Sequence, residues 1–289
     1  MAESEYGPGV HHFRGAAMAA PFEIIIAGED KKYAGEAAQA AYAEIDQIEQ
    51  RLSRYIDSSD ISRVNAKGAI EPILVSLETM TCLRVAQSVN TATGGAFDIT
   101  VRKPKLEDKE LPVIGMQYIE LDEENFTVRL KRPGVRLDLG GIGKGFGIDR
   151  ALVILGDWGI NNVMLSAGDS TILAKGAPPG KPGWPVTIGG DQPEKRKPIE
   201  RILKNRALSG SGTRVQGRHI IDPKTGRPAR GPIRSWASCP TGTLADALST
   251  AFMVMPPEAT KRYCEAHPNT WAVVLKSERD QFMTFGAGF

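Results

Sequence analysis

The sequence lacks the features that mark several large classes of protein. Its three cysteines (Cys82, Cys239 and Cys264) are an odd number without the short spacing of a metal site, which argues against a disulfide framework and a structural zinc. Basic and acidic residues nearly balance, at 36 and 34, and no run of Lys or Arg suggests a basic arm. We therefore expect no nucleic acid among its partners.

Long apolar runs are also missing, so we expect no transmembrane segment. The strongly apolar stretches 22–27 and 251–255 are far too short to cross a bilayer. The first twenty residues have two acids before any base and no continuous apolar segment, unlike a signal peptide. The chain as written is therefore expected to be cytoplasmic, or to act in the periplasm or cell envelope if an export signal was removed. The sequence leaves both locations open.

What is present is a mixture of strand and helix patterns. A stripe that includes Ala41, Ile45 and Ile48 predicts a helix over 34–55, and Ser76 as N-cap starts another that ends near Gly94. Further helices are predicted after Gly145 and over 245–255 and 258–266. Strands are predicted at 22–26, 117–121, 126–130, 135–139, 162–165, 171–174, 184–188, 271–276 and 281–285. Because these elements do not alternate regularly, they favour an α+β fold over a doubly wound sheet.

The densest chemical signal is the segment 137–149, which reads LDLGGIGKGFGID. A strand ends in an acid, passes through glycines and Lys144, and opens a helix. Glycines let the backbone approach a ligand, a helix N-terminus favours an anion, and lysine suits phosphate. The glycine spacing fits neither a Walker loop nor a dinucleotide fingerprint. A tight strand-to-helix turn with a solvated lysine explains the pattern equally well.

A second segment, 245–251, places Asp246 and Thr250 one helical turn apart on the same face. A carboxylate beside a hydroxyl offers hard oxygen atoms that suit Mg²⁺. Taken alone, the segment is better explained by Asp246 capping the helix and Thr250 bonding back to a carbonyl.

Four more segments carry small or polar side chains, and a purely structural role is the simplest explanation for most of them. His219 precedes a strong turn signal at 222–226, and 209–213 is a small-residue loop able to line a ligand. The segment 94–100 is a glycine-terminated helix running into a strand, and 59–65 is a short capped helix.

In this order the five segments 60–65, 95–100, 138–145, 219–226 and 245–251 resemble the motifs of the ApbE family of flavin transferases (FAD:protein FMN transferases). The resemblance runs from about Met18 to Met255. It implies an α+β fold of mixed or antiparallel sheets with packed helices, in which two lobes surround a flavin-binding cleft. It divides the chain into a flexible N-terminal arm, 1–17, and a catalytic domain, 18–289.

The resemblance also implies a reaction and a set of site residues. FMN would move from the substrate FAD to a Thr or Ser hydroxyl of a target flavoprotein through a phosphoester bond, with Mg²⁺ bound and AMP released. His219 is implied as general base, with Asp246 and Lys144 as further catalytic residues. The implied metal ligands are Gly141 (through its carbonyl), Asp246, Ser249 and Thr250. The implied flavin contacts are Met18, Tyr55, Ala96, Phe97, Asp98, Asp138, Lys144, Ile220 and Ile221.

Two departures from the family pattern and two other functions accompany this interpretation. Gly143 stands where many members have alanine, and the segment 209–217 is shorter than its counterpart, which often contains a tyrosine. An FAD pyrophosphatase, with water in place of the target hydroxyl, would use the same residues. A protein that only binds FAD is the other alternative, although His219, Asp246 and Thr250 favour chemistry over storage.

Overall fold

The computed structural model describes residues 9–102, 113–190, 196–213 and 220–287, and it contains one large antiparallel sheet with helices packed against it. The helices are α1 (Lys31–Leu52), α2 (Asp60–Lys67), α3 (Leu77–Ala92), α4 (Gly143–Asp157), α5 (Gly242–Phe252) and α6 (Pro257–Ala266), with a 3-10 turn at Met116–Tyr118. The first strands are β1 (Val10–Ala17), β2 (Ala20–Ala27), β3 (Ile73–Leu74), β4 (Ile119–Asp122), β5 (Thr127–Leu130), β6 (Val163–Ala167) and β7 (Thr171–Lys175). The remaining strands are β8 (Trp184–Ile188), β9 (Ile199–Leu203), β10 (Arg206–Gly212), β11 (Ile221–Asp222), β12 (Arg227–Pro228), β13 (Arg234–Cys239), β14 (Trp271–Leu275) and β15 (Met283–Phe285).

Eight of the described strands form the main sheet in the order β1-β2-β6-β7-β10-β13-β14-β15, and each neighbouring pair is antiparallel. A three-stranded sheet, β3-β5-β4, and the hairpins β8–β9 and β11–β12 stand apart from it. The predicted α+β class is therefore confirmed. The two-lobe flavin cleft stays a prediction.

Strand β2 shows how apolar residues bury both faces of the main sheet. Ile24 and Ile26 join the core formed with the helices, whereas Ile25 joins a second apolar cluster on the opposite face. That second cluster includes the fully buried Trp184 of the β8–β9 hairpin. Because side chains alternate across a strand, a continuous apolar run is what a strand buried on both faces requires.

The N-terminal boundary differs from the expected one. Residues 10–17, assigned from the sequence to a flexible arm, form β1 and pair with β2 along its whole length, from Val10 opposite Ala27 to Ala17 opposite Ala20. Tyr42 of α1 secures the pair, because its hydroxyl lies 2.9 Å from the carbonyl oxygens of both Phe13 and Phe22. This part of the chain belongs to the main sheet.

Two local predictions are wrong, each for a tertiary reason. The segment 135–139 is not a strand, because the backbone of Leu137 bonds to the side chain of Asn65 instead of a neighbouring strand. The segment 209–213 is largely strand β10 and not a loop, since β7 and β13 pair with it on both sides. Its small residues are needed there, because a Cβ on Gly210 would lie 2.7 Å from the Trp236 ring.

Other predictions are confirmed. Ser76 caps α3 by accepting the Thr79 N–H, and β8 has its predicted bounds. The segment after Ser59 is a short capped helix, α2.

Among the described residues, every helix is too short or too polar to cross a lipid bilayer.

Candidate active site

Asp246 lies at the centre of the candidate site, in the second turn of α5. Thr241 caps this helix by accepting the Leu244 N–H at 3.3 Å, so Asp246 is not the cap that the sequence allowed. The Asp246 side chain is buried, and its Oδ2 accepts the backbone N–H of Gly145 at 3.0 Å. The glycine motif and the carboxylate of the second segment are therefore in direct contact.

Hydroxyl groups from the main sheet surround the other side of Asp246. Its Oδ1 lies 3.3 Å from Ser209 Oγ and 3.5 Å from Thr171 Oγ1, and these two hydroxyls are 2.9 Å apart. Both residues are fully buried and stand on the paired strands β10 and β7. Sequence reasoning missed this pair, because 209–213 was assigned to a loop and nothing marked Thr171.

A second group of hydroxyls continues along α5 from Asp246. Ser249 Oγ donates to the Asp246 carbonyl at 2.9 Å and lies 2.8 Å from Ser211 Oγ, which is 3.5 Å from Thr250 Oγ1. Ser209 and Ser211 both reach α5 because alternate residues of a strand point to the same face. Ser249 and Thr250, predicted as metal ligands, thus stand in one polar group with Asp246.

The glycine motif lets α4 approach α5 closely. A Cβ on Gly141 would lie 3.2 Å from Thr250 Oγ1 and 3.3 Å from the Phe97 ring, so three predicted site residues meet there. A Cβ on Gly145 would lie only 2.2 Å from the Gly242 carbonyl oxygen. Lys144 is in the first turn of α4 and half-buried. Part of the motif therefore serves helix packing, while Gly141 borders the polar group.

Asp149 fixes the relative position of the same two helices. From α4, its carboxylate accepts the N–H groups of Gly242 at 2.7 Å and Thr243 at 2.8 Å, and the Thr243 hydroxyl. Burial raises the pKa of Asp149, although these hydrogen bonds oppose the rise. The first turn of α5 is therefore anchored to α4, which keeps Asp246 beside Gly145.

The loop 96–100 carries three predicted flavin contacts, of which Ala96 and Phe97 are buried. The Asn90 side-chain amide donates to the Phe97 carbonyl at 2.6 Å. Asp98 accepts the N–H and hydroxyl of Thr100 at 2.7 and 2.6 Å and the Met116 N–H at 3.2 Å. Burial raises the pKa of Asp98 against the effect of those bonds. The described contacts of Asp98 shape the loop that holds Phe97.

Asp138 and Tyr55, both predicted flavin contacts, are joined by Arg54. Asp138 Oδ1 accepts the Gly140 N–H at 3.0 Å, and its Oδ2 lies 3.1 Å from Arg54 Nε. The same guanidinium donates to the Tyr55 hydroxyl at 2.6 Å and lies 4.4 Å from the centre of its ring. The Tyr55 side chain is 77% exposed, so its ring is available to stack. Arg54 is not among the site residues predicted from the sequence.

Side chains of the segment 60–65 hold the backbone next to the site in place. Asp60 accepts the N–H and hydroxyl of Ser76 at 2.8 and 2.7 Å, the Thr79 hydroxyl at 2.7 Å, and Arg63. Burial alone would raise the pKa of Asp60, but these bonds together outweigh it and hold the pKa below its ordinary value. Asn65 bonds both backbone groups of Leu137 at 2.6 and 2.9 Å, one residue before Asp138.

The remaining predicted residues are less closely joined to Asp246. Met18 is in the turn between β1 and β2, and its Cε would lie 3.1 Å from a Cβ on Gly147 of α4. Ile220 and Ile221 are buried at the start of the β11–β12 hairpin, where the Ile220 carbonyl accepts the Ala229 N–H at 2.9 Å. His219, the predicted general base, lies outside the described residues.

The oxygen atoms around Asp246 fit a hard divalent cation. Within the described ranges, no three His, Cys, Asp or Glu side chains form a cluster suited to a metal. One carboxylate with hydroxyl and carbonyl oxygens is instead the donor set of a Mg²⁺ that completes its coordination with water and substrate phosphate. Gly141, Asp246, Ser249 and Thr250 meet that description.

Comparison with known proteins identifies a family and its fold. The model of the ApbE family matches residues 18–275. The chain is 29% identical to the FAD:protein FMN transferase of Vibrio cholerae, over 81% of this chain and 78% of that one, and 30% identical to the FAD:protein FMN transferase of Haemophilus influenzae, over 79% and 74%.

Solved structures of ApbE proteins have the same fold as this chain. The flavin transferase ApbE of Vibrio cholerae superposes with a TM-score of 0.82 at 25% identity, covering 96% of this chain and 97% of that one. The ApbE protein of Thermotoga maritima gives a TM-score of 0.80 at 26% identity, with the same coverage.

Proposed function

Because this chain belongs to the ApbE family, we propose that it is an FAD:protein FMN transferase. It would move FMN from FAD to a Thr or Ser hydroxyl of a target flavoprotein and release AMP. The names of the relatives from Vibrio cholerae and Haemophilus influenzae support the reaction. The group of oxygen atoms around Asp246 supports its dependence on Mg²⁺.

The observation that carries the proposal is the contact between Asp246 and the glycine motif. A buried carboxylate needs partners, and Asp246 has the Gly145 N–H on one oxygen and sheet hydroxyls on the other. Gly141 lies beside Thr250, and both are partly exposed whereas Asp246 and Ser249 are buried. We infer that Gly141, Asp246, Ser249 and Thr250 hold Mg²⁺, which when bound neutralises diphosphate oxygens and stabilises charge on the leaving AMP.

The other residues of the site would bind FAD. Lys144 adds positive charge near the diphosphate, while Met18, Tyr55, Ala96 and Phe97 provide apolar and aromatic surfaces for a ring system. Asp98, Asp138, Ile220 and Ile221 complete the proposed flavin-binding set.

In the transfer itself, the acceptor hydroxyl oxygen would bond to the phosphorus on the FMN side of the diphosphate. The bond from that phosphorus to the bridging oxygen would break, and the oxygen would leave with AMP. The His219 imidazole would accept the hydroxyl proton, since its ordinary pKa lies near neutrality.

The experiment combines the protein, FAD, Mg²⁺ and a candidate acceptor domain. A fluorescent band that survives denaturing electrophoresis, with AMP formed in equal amount, is expected. An acceptor whose Thr or Ser is replaced by Ala, and a reaction with EDTA, serve as controls. FMN and AMP in solution without a labelled band would establish an FAD pyrophosphatase instead, and intact FAD retained on the protein would establish a binding protein.

The general base is tested separately. His219→Ala should bind FAD with the wild-type dissociation constant but label the acceptor far more slowly. The control is His11→Ala. His11 is on β1, at the edge of the main sheet, and its ring contacts the Glu29 carbonyl. A wild-type labelling rate in His219→Ala would remove it from the mechanism.

A further inference from the structure

The turn between β1 and β2 adopts a conformation that its own residues disfavour. Ala17 pairs with Ala20, so Met18 and Ala19 form a two-residue turn, with φ of 51° and 56°. Turns with positive φ at both positions usually contain Asn-Gly or Asp-Gly, because a Cβ crowds the backbone in this region. Neither residue here is glycine, so other contacts must hold the turn.

Glu49 of α1 provides such a contact. Its Oε2 accepts the Met18 N–H at 2.8 Å, and Glu49 lines one shallow surface hollow together with residues 16–21. A hydrogen bond to a carboxylate is stronger than one between neutral groups. Tyr42, seven residues earlier and so on the same face of α1, bonds the body of the same hairpin. Helix α1 therefore contacts the β1–β2 hairpin at two places: Tyr42 bonds its strands and Glu49 bonds its turn.

The Met18 side chain lies on the other side, against α4. A Cβ on Gly147 would be 3.1 Å from Met18 Cε, so glycine at this position makes room for the methionine. Gly147 is two residues from Gly145, which bonds Asp246. The turn thus connects α1 to the helix that carries the glycine motif.

We propose that Glu49 is a positioning residue for FAD binding: it holds the Met18–Ala19 turn in the conformation that presents Met18 to the flavin. This inference rests on the proposed function, since it takes Met18 to border the flavin. Without the carboxylate, the strained turn would populate its native conformation only part of the time. The apparent dissociation constant for FAD rises by the inverse of that fraction, while turnover at saturating FAD is unchanged.

The test compares Glu49→Ala, Glu49→Gln and, as control, Asp46→Asn, which changes an exposed carboxylate on the same helix. FAD affinity is measured by quenching of flavin fluorescence, and labelling kinetics give KM and kcat. Glu49→Ala should raise the dissociation constant and KM about tenfold, the loss expected for one hydrogen bond to a charged group, with kcat unchanged. Glu49→Gln keeps an acceptor oxygen and should recover most of the affinity, and Asp46→Asn should match the wild type.

A second-site variant distinguishes positioning from simple damage. Ala19→Gly removes the Cβ that opposes the positive φ, so in the Glu49→Ala background it should restore affinity to within about threefold of the wild type. Hydrogen exchange gives a readout without ligand, since the Met18 amide should exchange faster in Glu49→Ala than in the wild type. Wild-type affinity in Glu49→Ala, or no recovery on adding Ala19→Gly, would overturn the positioning role alone. A wild-type protein that binds no FAD would refute the proposed function, and the role of Glu49 with it.

Discussion

Replacing Gly145 with alanine is expected to force α4 and α5 apart. A Cβ at this position would lie 2.2 Å from the Gly242 carbonyl oxygen, 2.5 Å from the Gly242 carbonyl carbon and 2.8 Å from Asp246 Cβ. Real Cβ atoms do not approach so closely, and two of the three atoms are backbone, which no side-chain rotation can move. The helices must therefore shift, and the bond from Gly145 to Asp246 shifts with them.

The size of the effect follows from two opposing terms. Overpacking of a well-filled interior costs about 3 kcal/mol when backbone must move, and replacing glycine by alanine within a helix returns about 1 kcal/mol. The net loss is about 2 kcal/mol. An unfolding entropy of about 2.1 cal/mol/K per residue over 289 residues converts this to a fall in Tm of about 3 °C.

Gly143 in the first turn of the same helix is the matched control. Nothing lies within 4 Å of a Cβ there, so Gly143→Ala should leave Tm unchanged or raise it by about 1 °C. Scanning calorimetry and Mg²⁺-dependent acceptor labelling are measured on both variants, and only Gly145→Ala should lose labelling activity. A Gly145→Ala protein as stable as Gly143→Ala would refute the steric reasoning.

Three further variants test the carboxylate and the framework around it. Asp246→Ala should abolish Mg²⁺-dependent labelling, since it removes the only carboxylate assigned to the metal, and unchanged labelling would disprove that assignment. Asp60 has a lowered pKa, so its contribution to stability is present above the unfolded value of about 3.8 and is lost as pH falls through the folded pKa. Urea unfolding from pH 5 to 2 should therefore show a larger loss of stability in the wild type than in Asp60→Asn, and equal losses would contradict this role. Asn65→Ala should lower the free energy of unfolding by about 2 kcal/mol, because both Leu137 bonds are lost, and a loss below about 0.5 kcal/mol would contradict that.

Local patterns predicted the elements whose signals lie within one segment. The N-cap Ser76, the strand at 184–188 and the apolar run of β2 each depend on neighbours in sequence, and the structure has all three. Strand β10 was missed because Ser and Gly are weak strand formers, and pairing with β7 and β13 overrides that preference. The error at 135–139 is the opposite one, since a strand was predicted where none forms. The Asn65 side chain of α2 makes the hydrogen bonds to Leu137 that a strand partner would have made.

The sequence by itself determined that Asp246 and Thr250 share a helix face, because the helical period sets their spacing, and the order of its motifs indicated the family. Only the tertiary structure decided what surrounds that face. Thr171 and Ser209 come from paired strands far from α5 in sequence, and they reach Asp246 because antiparallel pairing places them side by side. The bond from Glu49 to Met18 likewise joins residues 31 positions apart. Such contacts depend on how strands pair and helices cross, which no local pattern records.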